Sequence, residues 1–224
     1  MDFENTLKLG VGIYTSKEIS KILRIPTYKV NRWMRDYWDE RFGVEFKETY
    51  SWKVEDSRAI GFHTLVEFYI LTLFADAGVN TKDVLKAHIE LTKIYNTPFP
   101  FARKDIIENI KTDGKTIFIK LKKGGILSLD GKKQFQIKFI EMFFKNLVFD
   151  SKNLATKFYP LGKGKSIVVD PERQFGQPVI GSTNIFPEAI YNMYRAGEPK
   201  KFIAFTYNLS ELEIESAIEY CQAA

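Results

Sequence analysis

Between positions 27 and 35 the chain sets a tyrosine, a lysine, an asparagine and two arginines at spacings that gather on one side of a helix. At roughly 100° per residue, Tyr28, Lys29, Asn31, Arg32 and Arg35 fall together, and Val30, Trp33, Met34 and Tyr37 fall opposite. Guanidinium, ammonium and amide donors on one face suit the phosphates and base edges of a DNA groove, while the apolar face anchors the helix to a domain. With Thr27 at the helix start, these are the candidate DNA-contacting residues. The same pattern also fits an amphipathic helical hairpin with a solvated basic face.

Such a face needs elements to hold it. Thr15 and Glu18 have the spacing of a capping box, which starts a first helix over residues 16–23. Arg24, Ile25 and Pro26 form a short turn, since the residue before a proline disfavours helix. Thr27 is then expected to cap the second helix. Helix, turn and basic helix in this order predict a helix-turn-helix.

The chain has 224 residues, of which 45% are hydrophobic and 15% aromatic, enough for real cores, so wholesale disorder is excluded. No apolar run approaches the roughly 20 residues of a membrane span, and residues 1–5 lack the features of a signal peptide. The single cysteine, Cys221, has no internal partner and fits a reducing compartment, so a cytoplasmic protein without a membrane partner is expected. The net charge of +5 is unevenly spread. Residues 101–165 carry 15 Lys and Arg against 6 Asp and Glu, whereas residues 166–224 carry 4 against 8. A basic middle beside an acidic end implies an anionic partner, an acidic protein surface or docking between segments, unless the lysines serve solubility alone.

The expected fold class is mainly α with small β elements. A first domain, 1–97, holds the helix-turn-helix and its supporting helices. Within it, residues 44–46 and 50–52 alternate as a small hairpin or wing would, and 64–75 and 82–95 read as helices. A basic mixed segment, 98–165, has strands at 116–121 and 126–129 around Gly124 and Gly125, while 135–149 fits either a helix or a strand. Residues 159–165 read as a linker and 166–169 as a strand. Helices near 187–196, 200–207 and 210–222 complete a small C-terminal domain, 166–224.

Several stretches together resemble a known family. Gly10, Gly12 and Tyr14 ahead of the helix pair ending in Arg32 and Trp33 resemble the start of long VapB-type antitoxins, with a MerR-like helix-turn-helix. Phe101 after Pro98 and Pro100, then Thr112, Asp113 and Gly114 before Ile117 and Phe118, fit the middle of that family. Asp170, Pro171, Phe175, Gly176, Pro178 and Ile180 resemble its C-terminal domain of unknown function, and Thr183, Ile185, Gly197 and Glu198 continue the match. Ser182 and Asn184 depart from it, standing where a glycine and an arginine are usual. The resemblance implies an antitoxin that silences a PIN-type ribonuclease toxin and represses its own operon at operator DNA, as a homodimer. Gly176, Pro178, Ile180, Thr183 and Asn184 form the candidate partner-binding motif, and the Asn184 departure weakens any contact that needs an arginine there. The alternative is a stand-alone MerR-like regulator whose distal aromatics (Phe139, Phe143, Phe144, Phe149 and Tyr159) line a ligand pocket. A third reading is an RNA-binding module, in which exposed aromatics beside lysines stack bases.

Other chemistry finds little support. Gly164, Lys165 and Ser166 resemble the end of a phosphate-binding loop, but Tyr159 stands where its first glycine belongs and a strand follows. His63 reads as a helix-start cap and His88 as a hydrogen-bonded core residue. Cys221 falls on the buried face of the last helix with Ile214, Ala217 and Ile218. Without clustered His and Cys or paired carboxylates, no enzyme, metal or cofactor is expected. On the last helix, Glu211, Glu215 and Glu219 recur every four residues and make a poor surface for phosphates. DNA contact is therefore expected from the N-terminal helices.

Overall fold

The computed structural model describes residues 10–54, 57–112, 116–120, 126–130 and 144–223. The expected class holds: helices dominate, with small antiparallel sheets around them. Strand β1 (Tyr14–Thr15) leads into α1 (Ser16–Leu23), and α2 (Thr27–Arg32) continues through a π-wound stretch, Trp33–Gly43, into α3 (Val44–Phe46). Strands β2 (Ser51–Val54) and β3 (Ser57–Ile60) form the wing, with Ser51 opposite Ile60 and Lys53 opposite Arg58. The wing lies later than residues 44–52 suggested. Val44–Phe46 is the last turn of the long helical rod, and an alternation this short does not separate a strand from a helix end. Strand β1 also pairs with β3, Tyr14 against Ile60, so the wing closes back on the start of α1.

Helix α4 (Phe62–Asp76) is buried on almost every side and forms the axis of the larger core. Helix α5 (Thr81–Tyr95) packs beside it, capped by Asn80 and ended by Asn96 in the left-handed conformation. Among the polar side chains inside this core, Glu67 and His88 face one another. The Glu67 carboxylate lies 2.8 Å from His88 Nε2, with both side chains essentially inaccessible. The other Glu67 oxygen accepts the Phe101 amide at 2.8 Å. The His88 ring stacks on Phe42 at 4.1 Å and meets Trp38 and Phe101 edge-on. His88 is thus the core histidine its sequence position suggested.

His63 is not a cap: Gly61 takes that position, and His63 Nε2 lies 3.1 Å from the Ala155 carbonyl, tying α4 to a distant hairpin. That hairpin is β7 (Leu147–Phe149) with β8 (Ala155–Phe158). It follows α6 (Lys104–Ile107) and the sheet of β4 (Ile110–Thr112), β5 (Thr116–Lys120) and β6 (Ile126–Asp130). The turn at Gly124 and Gly125 and residues 135–143, including Phe139 and Phe143, lie outside the described residues, whereas 147–149 resolves as strand. Residues 159–165 are pinned rather than loose, with the Tyr159 and Lys163 amides donating to Asn146 and Lys145.

Packing divides the described residues into two apolar clusters, one running from Tyr14 to Val169 and one from Ile167 to Tyr220. Phe99 and Phe101 belong to the first, alongside the N-terminal helices. The second surrounds β9 (Ile167–Val168), β10 (Val179–Ile180), α7 (Pro187–Arg195), α8 (Lys200–Tyr207) and α9 (Glu211–Gln222). Helix α9 opens with a full capping box, Ser210 with Glu213. Its acidic row is partly neutralised: Lys200 pairs with Glu215 and Lys165 with Glu219. Cys221 is half-buried, and burial pushes its thiol up to about 11.

Burial lowers the His63 imidazole from its ordinary 6.5, against the opposing pull of the Ala155 carbonyl. The unfolded chain binds that proton near pH 6.5 and the folded chain does not, so folding stability drops as pH falls below that value. Urea midpoints measured from about pH 7.5 to about pH 5 should fall more steeply for the wild type than for His63→Gln. Equal slopes would show that His63 titrates alike in both states.

Candidate nucleic-acid interface

The N-terminal helix pair is held by local bonds that its sequence dictates. Glu18 accepts the Thr15 amide at 2.6 Å while Thr15 Oγ1 accepts the Glu18 amide, completing the expected box. The chain leaves α1 through Arg24 in the left-handed conformation, and the Arg24 and Ile25 amides both return to the Ser20 carbonyl. Ser20 Oγ closes the turn by donating to the Ile25 carbonyl at 2.6 Å. Pro26, not Thr27, is the cap of α2. A cap residue has non-helical angles; Pro26 has them at φ −59° and ψ 137°, and its carbonyl accepts the Lys29 and Val30 amides. Thr27 is the first helical residue.

The two faces of the rod separate as expected. Val30, Trp33 and Met34 are buried and Tyr37 is partly so, packed against the same core. On the other face Tyr28, Asn31, Arg32 and Arg35 are exposed. Tyr28, at 72% exposure, is a large aromatic standing in solvent. Lys29 is half-buried, its ammonium 4.9 Å from the Trp33 ring centre, which fixes where that charge sits. Arg35 donates from Nε to Asp36 at 2.7 Å, an exposed pair that is readily exchanged for a phosphate. It lies in the π-wound stretch, so the angle per residue used for the helix applies as far as Arg32 and not beyond. The residues this stretch buries are Trp33, Met34, Trp38 and Phe42.

The wing adds cations that the sequence pattern did not mark. Arg58 is fixed by Asp39, Nη2 to Oδ2 at 2.8 Å, and by Nε donating to Ser51 Oγ at 2.8 Å. Ser51 in turn donates to Asp39, so the wing is bolted to the rod. Burial raises the Asp39 carboxyl above its ordinary value, with Ser51 and Arg58 pulling it back. Lys53 stands exposed across the ladder from Arg58. The run of charged residues from 53 to 58 is the sequence signal for this hairpin, and the alternation just before it masks it.

The C-terminal motif is mostly committed within the chain. Pro178 is buried, and Ile180 is fully buried in the second core. Thr183 Oγ1 donates to the Ile180 carbonyl and accepts the Ile185 amide, which makes it a turn residue. Gly176, at φ +85°, lies where an added Cβ would stand 2.1 Å from the Tyr14 hydroxyl oxygen. Asn184 alone among the five is exposed, and it accepts a long bond from Arg173. Around Gly176 the two cores meet. The Ile13 amide donates to Phe175 at 2.8 Å, and Gln177 donates to both the Ile13 carbonyl and Glu18. Lys21 on α1 forms an ion pair with Glu188 on α7. Tyr14 is wholly buried there, and burial holds its hydroxyl well above the ordinary range.

Comparison with known proteins places this architecture. A family described as a protein of unknown function, DUF433, matches residues 167–221, the unit that forms the second core. Over 97% of both chains the sequence is 23% identical to a protein of Mycobacterium tuberculosis described as a candidate antitoxin, VapB45. The fold is shared with the crystal structure of Rv2018 from the same organism, at a TM-score of 0.67 and 19% identity over 95% of this chain and all of that one.

Phe144 and Phe149, two of the aromatics considered for a ligand pocket, pack against the larger core and also line an open surface depression with Lys104, Leu147 and Lys163. Among the described residues, no group of three or more His, Cys, Asp or Glu side chains could hold a metal ion. Likewise, no described helix is long and apolar enough to cross a membrane.

The packing at Gly176 is testable. Gly176→Ala adds both a strained positive φ and a clash, and should cost about 2 kcal/mol or more of stability in urea unfolding. Adding Tyr14→Phe should recover only part, because the ring carbon bearing the hydroxyl also lies 2.7 Å from the added Cβ. Full tolerance of alanine would mean that the two units do not meet as described.

Proposed function

We propose that this protein is the antitoxin of a toxin–antitoxin pair, which binds a PIN-type ribonuclease and represses its own operon by binding operator DNA. The supporting observation is end-to-end similarity to the VapB45 protein: 97% of each chain aligns, so the N-terminal helix pair and the C-terminal unit occur in the same order. In this reading residues 1–97 contact DNA, residues 98–165 supply a basic surface that suits the carboxylate-lined site of a nuclease, and residues 166–224 serve assembly. The protein performs no chemistry of its own.

Thr27, Tyr28, Lys29, Asn31, Arg32 and Arg35 line the groove-facing side of the rod, with Arg58 and Lys53 on the wing as phosphate contacts. The acidic row of α9 opposes any role for that helix on DNA. A homodimer on a two-fold operator supplies the specificity that one small module lacks.

The protein should co-purify from its host with a small nuclease in fixed ratio, and co-expression should relieve the toxicity of that nuclease expressed alone. Recovery of this chain alone at full expression would defeat the antitoxin reading. Arg32→Ala with Arg35→Ala should weaken promoter binding at least tenfold. The slope of log affinity against log salt should flatten by about one for each phosphate no longer neutralised. Affinity unchanged by those substitutions but abolished by charge reversals on α9 would move the DNA surface to the C-terminal unit.

A further inference from the structure

Helix α8 is anchored on one side and unanswered on the other. Ile203 and Ala204 are buried in the second core, while Phe202 and Phe205 point outward, at 50% and 86% exposure. Phenylalanines three residues apart lie on one stripe of a helix, so the outer face presents a pair of rings to water. The charges of the helix are also set against its own dipole. Its first turn carries Lys200 and Lys201 and no acid, and its last turn carries no cation. A helix start disfavours cations and a helix end favours them. Lys200 is satisfied by Glu215 of α9. Lys201 is exposed, with no partner among the described residues. Just past the other end of the helix, at the start of α9, stands exposed Glu211.

We propose that this face of α8 is a two-fold interface between two copies of the chain, with the helices antiparallel. The two-fold axis passes between the Phe202 and Phe205 rings, so the Phe202 ring of each copy packs against the Phe205 ring of the other. Antiparallel packing carries Lys201 of each copy to the carbonyl end of the partner helix and beside Glu211 there. One arrangement thereby covers the rings, places the misplaced cation and pairs an unused acid. A closed two-fold contact requires such a self-complementary surface. The inference rests on the dimeric state proposed above, and it is independent of which toxin or operator is bound.

Sedimentation velocity over a concentration series tests it on the full chain. Wild type should sediment as a dimer, and Phe202→Ser with Phe205→Glu should raise the dimer dissociation constant at least tenfold while leaving the far-UV circular dichroism of the folded chain unchanged. Lys201→Glu and Glu211→Lys should each weaken the dimer, and the two together should restore it. A wild type that is monomeric at every concentration overturns both the dimeric state and this surface. A dimer indifferent to the aromatic substitutions overturns the surface alone. Loss of toxin binding in the aromatic variant, with the dimer intact, also overturns the inference and makes the face a toxin contact. Failure of the paired charge reversal to rescue overturns the antiparallel arrangement.

Discussion

The buried carboxylate of Glu67 constrains everything around it. An acid on a helix enclosed by apolar side chains destabilises the fold unless its oxygens are met, because removing an ionised group from water costs several kcal/mol. One oxygen meets His88 and the other takes the Phe101 amide, so α4, α5 and the turn after Pro98 must lie where they do. The imidazole held in this way becomes a platform for Phe42 and Trp38, side chains of the rod that carries the exposed cations. Orientation of the candidate DNA face thus depends on a polar pair at the centre of the domain.

A second joint lies at the edge of that domain. Tyr14 fills the space that a side chain at position 176 would need, and hydrogen bonds accepted by Phe175 and donated by Gln177 flank the contact. The winged unit and the DUF433-like unit are joined through β1 and α1, the elements that lead into the basic rod, rather than through a long tether. Lys21, on the first helix of the pair, is engaged by Glu188 and not left to solvent. In the basic middle, Lys157 and Lys165 likewise pair with Asp170 and Glu219 of the acidic end, so these two portions offset one another locally where they touch.

What can be read from the sequence follows the reach of the interactions involved. The Thr15–Glu18 box, the bounds of α8 and the two faces of the first turns of α2 depend on neighbours within four residues, and each is legible. Pro26 displaces Thr27 from the cap because both residues suit a helix start, and the choice depends on backbone angles that composition does not show. Local alternation puts the wing one step early because a three-residue pattern is shared by strands and helix ends; pairing with Tyr14, far back in the chain, is what selects 57–60. His63 escapes a local reading for the same reason: its partner is the carbonyl of Ala155, 92 residues away. Nothing local announces the π winding that governs where Arg35 points.

Glu18 illustrates how such a chain is held in check by its own economy. One of its oxygens serves the helix start, and the other receives the amide of Gln177 from the opposite end of the molecule. Aspartate is too short to reach both, and glutamine supplies only one acceptor. Sequence drift at this half-exposed position is therefore narrower than its exposure implies. Either replacement keeps one of the two contacts and gives up the other.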